Sequence, residues 1–292
     1  MRKVFIEFDL AGAEWVIVAY KSRDPNMLSV AKSGISPHVA TASFATKVPV
    51  ELILEEEKLL EGCIDPEEIA EVRRCHYPHI FQLASFLPSG KTLRQTFKTA
   101  NHSLNYGLGY KAFALRNEIG EVEAKTIVRL YHEEAYPGVQ KVYQKEVRDE
   151  IILTGRLMNC FGGIRDFLSE PGPELWLDAY AHIPQSTVFD LTRLAMVHVY
   201  HQEPEVELIA QDHDAVTVQV SPDPELIAGV IQRVTRVLSH PLAYGGESFS
   251  LGVDAKMGYS RAKRGMQKVS SDAAQVREAL ERVSHGEALS AG

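Results

Sequence analysis

The chain has 292 residues, 45% hydrophobic and 24% charged, with 20 Gly and 14 Pro. That composition excludes a collagen-like, low-complexity or wholly disordered protein and leaves room for one large domain or two modest ones. The net charge is −8, but the window from Glu51 to Arg74 holds nine acidic residues against three basic ones. The rest of the chain is therefore close to neutral, and bulk charge does not exclude a nucleic-acid partner.

The first residues read as a strand, with Val4, Ile6 and Phe8 on one face and Asp9 at its end. Because charges interrupt its apolar residues, this start reads as a strand rather than a signal peptide, and no apolar run reaches the roughly 18 residues of a membrane span. A helix is predicted over 13–21, and Asp24-Pro25-Asn26 punctuates the chain before a second one. Residues 51–60 and 66–74 read as two acidic amphipathic helices separated by Gly62. A long helix starts near Ser89-Gly90-Lys91-Thr92 and runs through Tyr106; two more follow over 121–136 and 138–154, joined by Pro137. Residues 155–167 pattern as a hairpin turning at Gly162-Gly163, and 174–201 as one long helix. Two apolar runs, 206–210 and 215–220, flank Gln211-Asp212-His213-Asp214 as a hairpin with a polar tip. A helix over 224–238 and one strand over 248–255 close the core. The tail carries Arg261, Lys263, Arg264 and Lys268 within eight residues, then a short helix over 272–283. Few strands separated by long helices make the class α+β.

Two constellations carry chemistry. Asp9 and Asp214 lie 205 positions apart, each where β-structure meets an open edge. Paired carboxylates from separate strands suit Mg²⁺, a hard cation that prefers oxygen ligands; single aspartates at strand ends commonly serve only as turn or capping residues. Arg94, Lys98, His102 and Tyr106 recur every four residues, which keeps them on one helical face over roughly 18 Å. Two cations there can meet a triphosphate and the aromatic a nucleobase. Gly107-Leu108-Gly109 ends the helix at once and permits close approach of another chain.

Taken together, these stretches resemble the three polymerase motifs of family A DNA polymerases, the bacterial polymerase I group. Asp9-Leu10-Ala11-Gly12-Ala13-Glu14 resembles Asp-Tyr-Ser-Gln-Ile-Glu. The run from Arg94 through Lys98, Asn101 and His102 to Tyr106-Gly107 resembles Arg-x3-Lys-x2-Asn-Phe-Gly-x2-Tyr-Gly. Gln211-Asp212-His213-Asp214 resembles Gln-Val-His-Asp-Glu. Connecting segments agree: Asp24-Pro25-Asn26, Pro37-His38, Tyr136-Pro137-Gly138-Val139, and Ile183-Pro184-Gln185-Ser186-Thr187, the last in a phage-like form. The resemblance covers residues 4–259.

The resemblance implies a right-hand polymerase fold of palm and fingers without a thumb. Residues 1–37 would be palm, 38–154 fingers with an inserted acidic helical segment at about 47–84, 155–260 palm, and 261–292 a basic then helical tail. It implies template-directed transfer of dNTPs to a primer 3′-OH with two Mg²⁺ ions, which Mn²⁺ can replace. Asp9, the Leu10 carbonyl and Asp214 would hold the metals. Arg94, Lys98 and His38 would bind phosphates, and Lys98 would protonate the leaving pyrophosphate. Glu14 would exclude a 2′-OH, His102 would lie against the sugar, and Tyr106 would stack near the templating position. Gln185 and His213 would contact DNA near the primer end. The partners implied are primer-template DNA, dNTP and a separate polypeptide supplying the thumb, and an exonuclease, in a bacterial or phage-infected host cytoplasm, with no membrane. Scattered cysteines (Cys63, Cys75, Cys160) fit that reducing compartment.

Four departures bear on selectivity. His102 replaces the family's Phe, Ala215 its Glu, Gly12 a Gln and Ala181 an Asn; none removes a metal aspartate or a phosphate-binding cation. From His38 to Arg94 the chain runs 56 residues, so aligning the motifs implies an insertion of roughly 35. Cys63, Cys75, His76 and His79 fall within it and invite a zinc reading. No CxxC knuckle is present and Pro78 interrupts the second cluster, so a helical surface insertion with buried cysteines is expected instead. Two alternatives differ in class. A single-subunit RNA polymerase shares the paired aspartates, but Glu14, Asn101 and Gln211 fit the DNA pattern better. A non-catalytic, polymerase-derived binding subunit would not need paired acidic ligands beside phosphate-binding cations.

Overall fold

The structure, a computed structural model, describes residues 2–60, 65–76, 91–262 and 265–290. In chain order the elements are β1 (Val4–Leu10), α1 (Ala13–Ser22), α2 (Pro25–Ser33), α3 (Pro37–Thr46), α4 (Val50–Leu59), α5 (Pro66–His76), α6 (Leu93–Asn105), α7 (Tyr110–Asn117) and α8 (Glu121–Arg129). Two π-helical turns, Leu130–Ala135 and Val139–Gln144, precede α9 (Lys145–Thr154). Then come β2 (Arg156–Met158), β3 (Ile164–Asp166), α10 (Pro173–Gln202), β4 (Glu207–Asp212), β5 (Ala215–Val220) and α11 (Pro224–Leu238). The chain ends in β6 (Leu242–Tyr244), β7 (Glu247–Phe249), β8 (Val253–Gly258), β9 (Gln267–Val269) and α12 (Ala273–Ser290). The fold class is α+β.

The chain divides into two compact units. One comprises Met1–Ala13, Asn159–Gly163 and Gln185–Gly292; the other Glu14–Met158 and Ile164–Pro184. Helix α10 passes from one to the other at Pro184, which lacks the N–H that would continue the helical ladder.

The first unit is built on an antiparallel five-stranded sheet in the order β4-β5-β1-β8-β9. Strand β1 sits at its centre, and the alternation of its sequence decides which face is core. Val4, Ile6, Phe8 and Leu10 are fully buried. They lie in register with Val220, Val218 and Val216 of β5 on one side and with Met257, Ala255 and Val253 of β8 on the other. Helices α11 and α12 pack on each other and against β8. Helix α11 places Ile227, Val230, Ile231, Val234 and Leu238 on one buried stripe, the spacing of an amphipathic helix. The other face of the sheet carries Phe5, Glu7 and Asp9.

Two sequence expectations are corrected here. The single strand over 248–255 is two strands in different sheets. Gly245 and Gly246, both at positive φ, close a tight β6–β7 hairpin that claims Glu247–Phe249, and β8 starts only after Gly252. The basic tail is not all tail: Gln267–Val269 adds β9 to the sheet beside β8, and the following helix runs to Ser290.

In the second unit, α3 packs along α6. Asp24, fully buried, organises the chain around Pro137-Gly138. Its Oδ1 accepts from the N–H groups of Asn26 and Met27 at 3.0 and 3.1 Å, capping α2, while Oδ2 accepts from Gly138 at 2.7 Å. A Cβ on Gly138 would stand 2.7 Å from that of Asp24, so only glycine fits. The helices expected over 121–136 and 138–154 each contain a π-helical turn, one on either side of Pro137. The Tyr136 N–H reaches the Tyr131 carbonyl at 2.8 Å, a wide turn that carries both tyrosine side chains into the core. Helix α7 is a further element that the sequence reading passed over.

Cys63 and His79 lie outside the described residues, as does the His76 side chain. Cys75 is exposed, which corrects the expectation of buried cysteines at that position. Among the described residues no group of three or more His, Cys, Asp or Glu is arranged to hold a metal, and no helix is long and apolar enough to cross a membrane.

His132 is buried, and its Nδ1 has no hydrogen-bond partner. Burial pushes its pKa down to about 4. Below about pH 6.5 the unfolded chain therefore takes up a proton that the folded chain refuses until near pH 4, and stability falls across that window. Urea unfolding at pH 7.5 and 4.5 should show His132→Leu losing less stability on acidification than the parent, by on the order of 2 kcal/mol. Equal losses would remove His132 as a source of acid sensitivity.

Candidate nucleotidyl-transfer residues in each unit

In the first unit, strand pairing brings the two predicted metal aspartates to one end of the sheet. Asp9 is the Cα partner of Ala215 in β5. The two-residue turn His213-Asp214 joins β4 to β5, with His213 at a positive φ of 54°. The Leu10 N–H donates to the Asp214 carbonyl at 3.2 Å, so the backbones that carry Asp9 and Asp214 are bonded directly. Gln211 Nε2 donates to the His213 carbonyl at 2.7 Å and braces the turn. His213 is exposed on it, and Gln185 is exposed on α10. The donors gathered here are carboxylate and carbonyl oxygens, the set a hard divalent cation takes. Sequence reasoning missed Asp254, the Cα partner of Asp9 on its other side; Lys268 lies 2.6 Å from its carboxylate.

In the second unit, α6 carries the cationic row, and its sequence separates two faces. Leu93, Thr96, Phe97, Ala100, Asn101, Ser103, Leu104 and Asn105 are buried, while Lys98 and His102 are exposed and Arg94 is half-exposed. The N-terminus is closed by a reciprocal capping box. Thr92 Oγ1 accepts from the Gln95 N–H at 3.2 Å, and Gln95 Oε1 accepts from the Thr92 N–H at 3.3 Å. Two carboxylates of α4 complete it. Fully buried Glu56 accepts from the Leu93 N–H at 2.8 Å. Glu57 accepts from the Thr92 hydroxyl and lies 3.3 Å from Arg94 Nη1. The acidic segment thus neutralises the positive end of α6 and orients its first arginine. The sequence showed the acidic run but not what it faces.

At the other end Gly107, at φ +80°, forms a Schellman cap. Its N–H donates to Leu104 O at 3.1 Å, and the Leu108 N–H donates to Ser103 O at 3.0 Å. Gln144 Nε2 donates to the Leu104 and Asn105 carbonyls at 3.2 and 3.0 Å. Tyr106, the C-cap residue, donates its hydroxyl to Glu14 Oε2. His102 Nδ1 is 3.5 Å from the same oxygen, and the His102 and Tyr106 rings meet edge to face at 5.0 Å. Burial, then the Glu14 carboxylate, raises the Tyr106 pKa, so the phenol stays protonated as a donor. His38, half-buried on α3, contacts Asn101 of α6. Its pKa is pushed down to about 3 by burial, then by the charges of Arg94, Lys98 and His102. The structure therefore gathers His38, Arg94, Lys98, His102, Tyr106 and Glu14 in one unit, and Asp9, Leu10, Asp214, His213 and Gln185 in the other.

No family model matches the chain. Over 162 residues, 52% of the chain, it is 28% identical to DNA polymerase I of Helicobacter pylori; the enzyme of a second strain matches at 28% over 165 residues. The chain spans only 18% of the length of these curated relatives. Among solved structures, the POL domain of Pol1 from M. smegmatis, in complex with DNA primer-template and dNTP, superposes with a TM-score of 0.63 at 20% identity. That match covers 88% of this chain and 40% of the other. The chain has the fold of a polymerase domain, and about half of it is similar in sequence to DNA polymerase I.

A Cβ on Gly107 would lie 2.8 Å from Tyr180 Cε2 in addition to the strain of its left-handed backbone. Gly107→Ala should lower stability by about 1–3 kcal/mol in urea unfolding. An unchanged midpoint would mean that the end of α6 is not so constrained.

Proposed function

We propose that this chain is a DNA polymerase acting by template-directed transfer of dNTPs to a primer 3′-OH. The observation that carries the reading is the presence of both aspartates on directly bonded backbones, together with a helix that keeps Arg94, Lys98 and His102 off its buried face. Asp9 and Asp214, with the Leu10 carbonyl, would hold Mg²⁺; their all-oxygen donor set fits that ion, and Mn²⁺ can replace it. When bound, the metal supplies Lewis-acid charge for an in-line phosphoryl transfer.

The chain's own residues do the rest. Arg94 and Lys98 bind the outer phosphates, and Glu57 keeps the guanidinium of Arg94 extended until a triphosphate competes for it. Lys98, the exposed ammonium on α6, is the proton donor to the pyrophosphate leaving group. His38 contributes a further phosphate contact. Glu14 fills the space a 2′-OH would take, and Tyr106 and His102 hold its carboxylate still. Gln185 and His213 contact DNA near the primer end. A separate polypeptide supplying a thumb, and an exonuclease, belongs to the same proposal and rests on the resemblance alone.

Primer extension with purified chain, Mg²⁺ and dNTPs tests the reading. Asp9→Ala and Asp214→Ala should each cut incorporation at least ~1,000-fold, since loss of a metal site costs several kcal/mol of barrier, while the fold and most DNA binding persist. A tenth of parental activity in either variant would sink the assignment.

Sugar selection is tested separately. Glu14→Ala should raise ribonucleotide incorporation in competition with dNTPs, and His102→Phe should alter discrimination against ddNTPs. Unchanged ribonucleotide discrimination in Glu14→Ala would remove Glu14 from the steric role.

A further inference from the structure

Asn101 is buried between α6 and α3, and its amide has three neighbours. Nδ2 lies 3.3 Å from the Pro37 carbonyl and 3.1 Å from His38 Nδ1, and Oδ1 lies 3.0 Å from the Thr41 hydroxyl. Thr41 Oγ1 in turn meets the Tyr136 hydroxyl at 2.9 Å and the Pro37 carbonyl at 2.8 Å. This network fixes which way the amide points. A carbonyl oxygen can only accept, so the group facing Pro37 must be the NH₂. The same NH₂ faces His38 Nδ1, which must therefore present a lone pair. A neutral imidazole that accepts at Nδ1 carries its proton on Nε2. An imidazolium would set one N–H against another.

We infer that Asn101 is a positioning residue that holds His38 as a neutral imidazole protonated at Nε2, so that His38 meets an anionic triphosphate as a directed N–H donor and not as a third cation beside Arg94 and Lys98. The identity of the anion rests on the polymerase reading. The control of the imidazole by Asn101 does not. The charged and titratable groups around the ring act in the same direction. Arg94, Lys98 and His102 of α6 all oppose a positive charge on His38, and burial opposes it more strongly. The carboxylates beside these cations contact other groups, Glu57 with Arg94 and Glu14 with Tyr106 and His102. Tyr136 reaches the ring only through Thr41 and Asn101. A neutral donor gives a directional contact that does not vary across the physiological pH range.

The test uses the full chain labelled with ¹⁵N-histidine and long-range ¹H–¹⁵N spectra from pH 5.5 to 8. His38 should show an unprotonated Nδ1 and a protonated Nε2 throughout. Asn101→Asp, which sets an acceptor against Nδ1, should convert it to the Nδ1–H or doubly protonated form. Asn101→Ala should give a mixture of tautomers and bind inorganic triphosphate about tenfold more weakly, the loss of one directed hydrogen bond. A parental His38 that carries its proton on Nδ1, or that titrates between pH 5.5 and 8, would overturn the inference, and that spectrum decides even where a variant fails to fold. The two readings fail separately. The wrong tautomer in a chain that binds triphosphate sinks only the role of Asn101, whereas the stated tautomer in a chain that does not bind it sinks the phosphate-donor role and the nucleotide reading with it.

Discussion

A helix leaves four N–H groups at one end and four carbonyls at the other without internal partners, and in α6 those ends are met by groups from elsewhere in the chain. Glu56 and the Thr92 capping box serve the N-terminus, and Gln144 and the Gly107 cap serve the C-terminus. Tyr131 donates its hydroxyl to Asn105 Oδ1 at 2.7 Å and pins the last turn. A helix held at both ends and buried along one face has little freedom to rotate. The direction in which Arg94, Lys98 and His102 project is thus a consequence of polar satisfaction on the buried side, not a property of those three residues.

The sheet of the first unit applies a comparable constraint through register. Because side chains alternate, a one-residue slip of β1 against β5 would turn Asp9 into the core and Phe8 out of it. Three apolar partners at alternate positions on each side forbid that slip. Asp9 is in this sense placed by Val4, Ile6, Phe8 and Leu10, and Asp214 by the two-residue turn that closes β4 onto β5. The placement of Asp9 at this end of the sheet is inherited from packing at the other face.

What the sequence made legible follows the range of the forces involved. Strand β1, helix α11 and the long helix α10 declare themselves by local periodicity, and the motifs that suggested a site are short and contiguous. The rest depended on distant partners. Nothing local shows that Gly245-Gly246 will draw Glu247–Phe249 into a private hairpin, or that Gln267–Val269 will find the free edge of β8. The π-helical turns flanking Pro137 answer to Asp24, over a hundred residues earlier. Asn101 was visible as a motif position, but its grip on His38 needs Pro37 and Thr41 in place. Glu56 and Glu57 looked like two more members of an acidic surface, and burial of one of them against the α6 N-terminus is a tertiary fact.

The charge distribution around the sheet end shows the same dependence. By sequence, Arg261, Lys263, Arg264 and Lys268 form a basic tail. In the structure Arg261 pairs with Asp212 and Lys268 with Asp254, while Lys263 and Arg264 lie outside the described residues. Both acidic partners border the aspartates of interest: Asp212 precedes the turn that bears Asp214, and Asp254 stands opposite Asp9 in register. As half-exposed ion pairs these contacts add little to stability, on the order of 1 kcal/mol or less each. Strand β9 and the segment before it carry compensating cations to that end. A stretch that reads as a basic tail is, at two of its four positions, paired with acidic residues of the sheet that also carries Asp9 and Asp214.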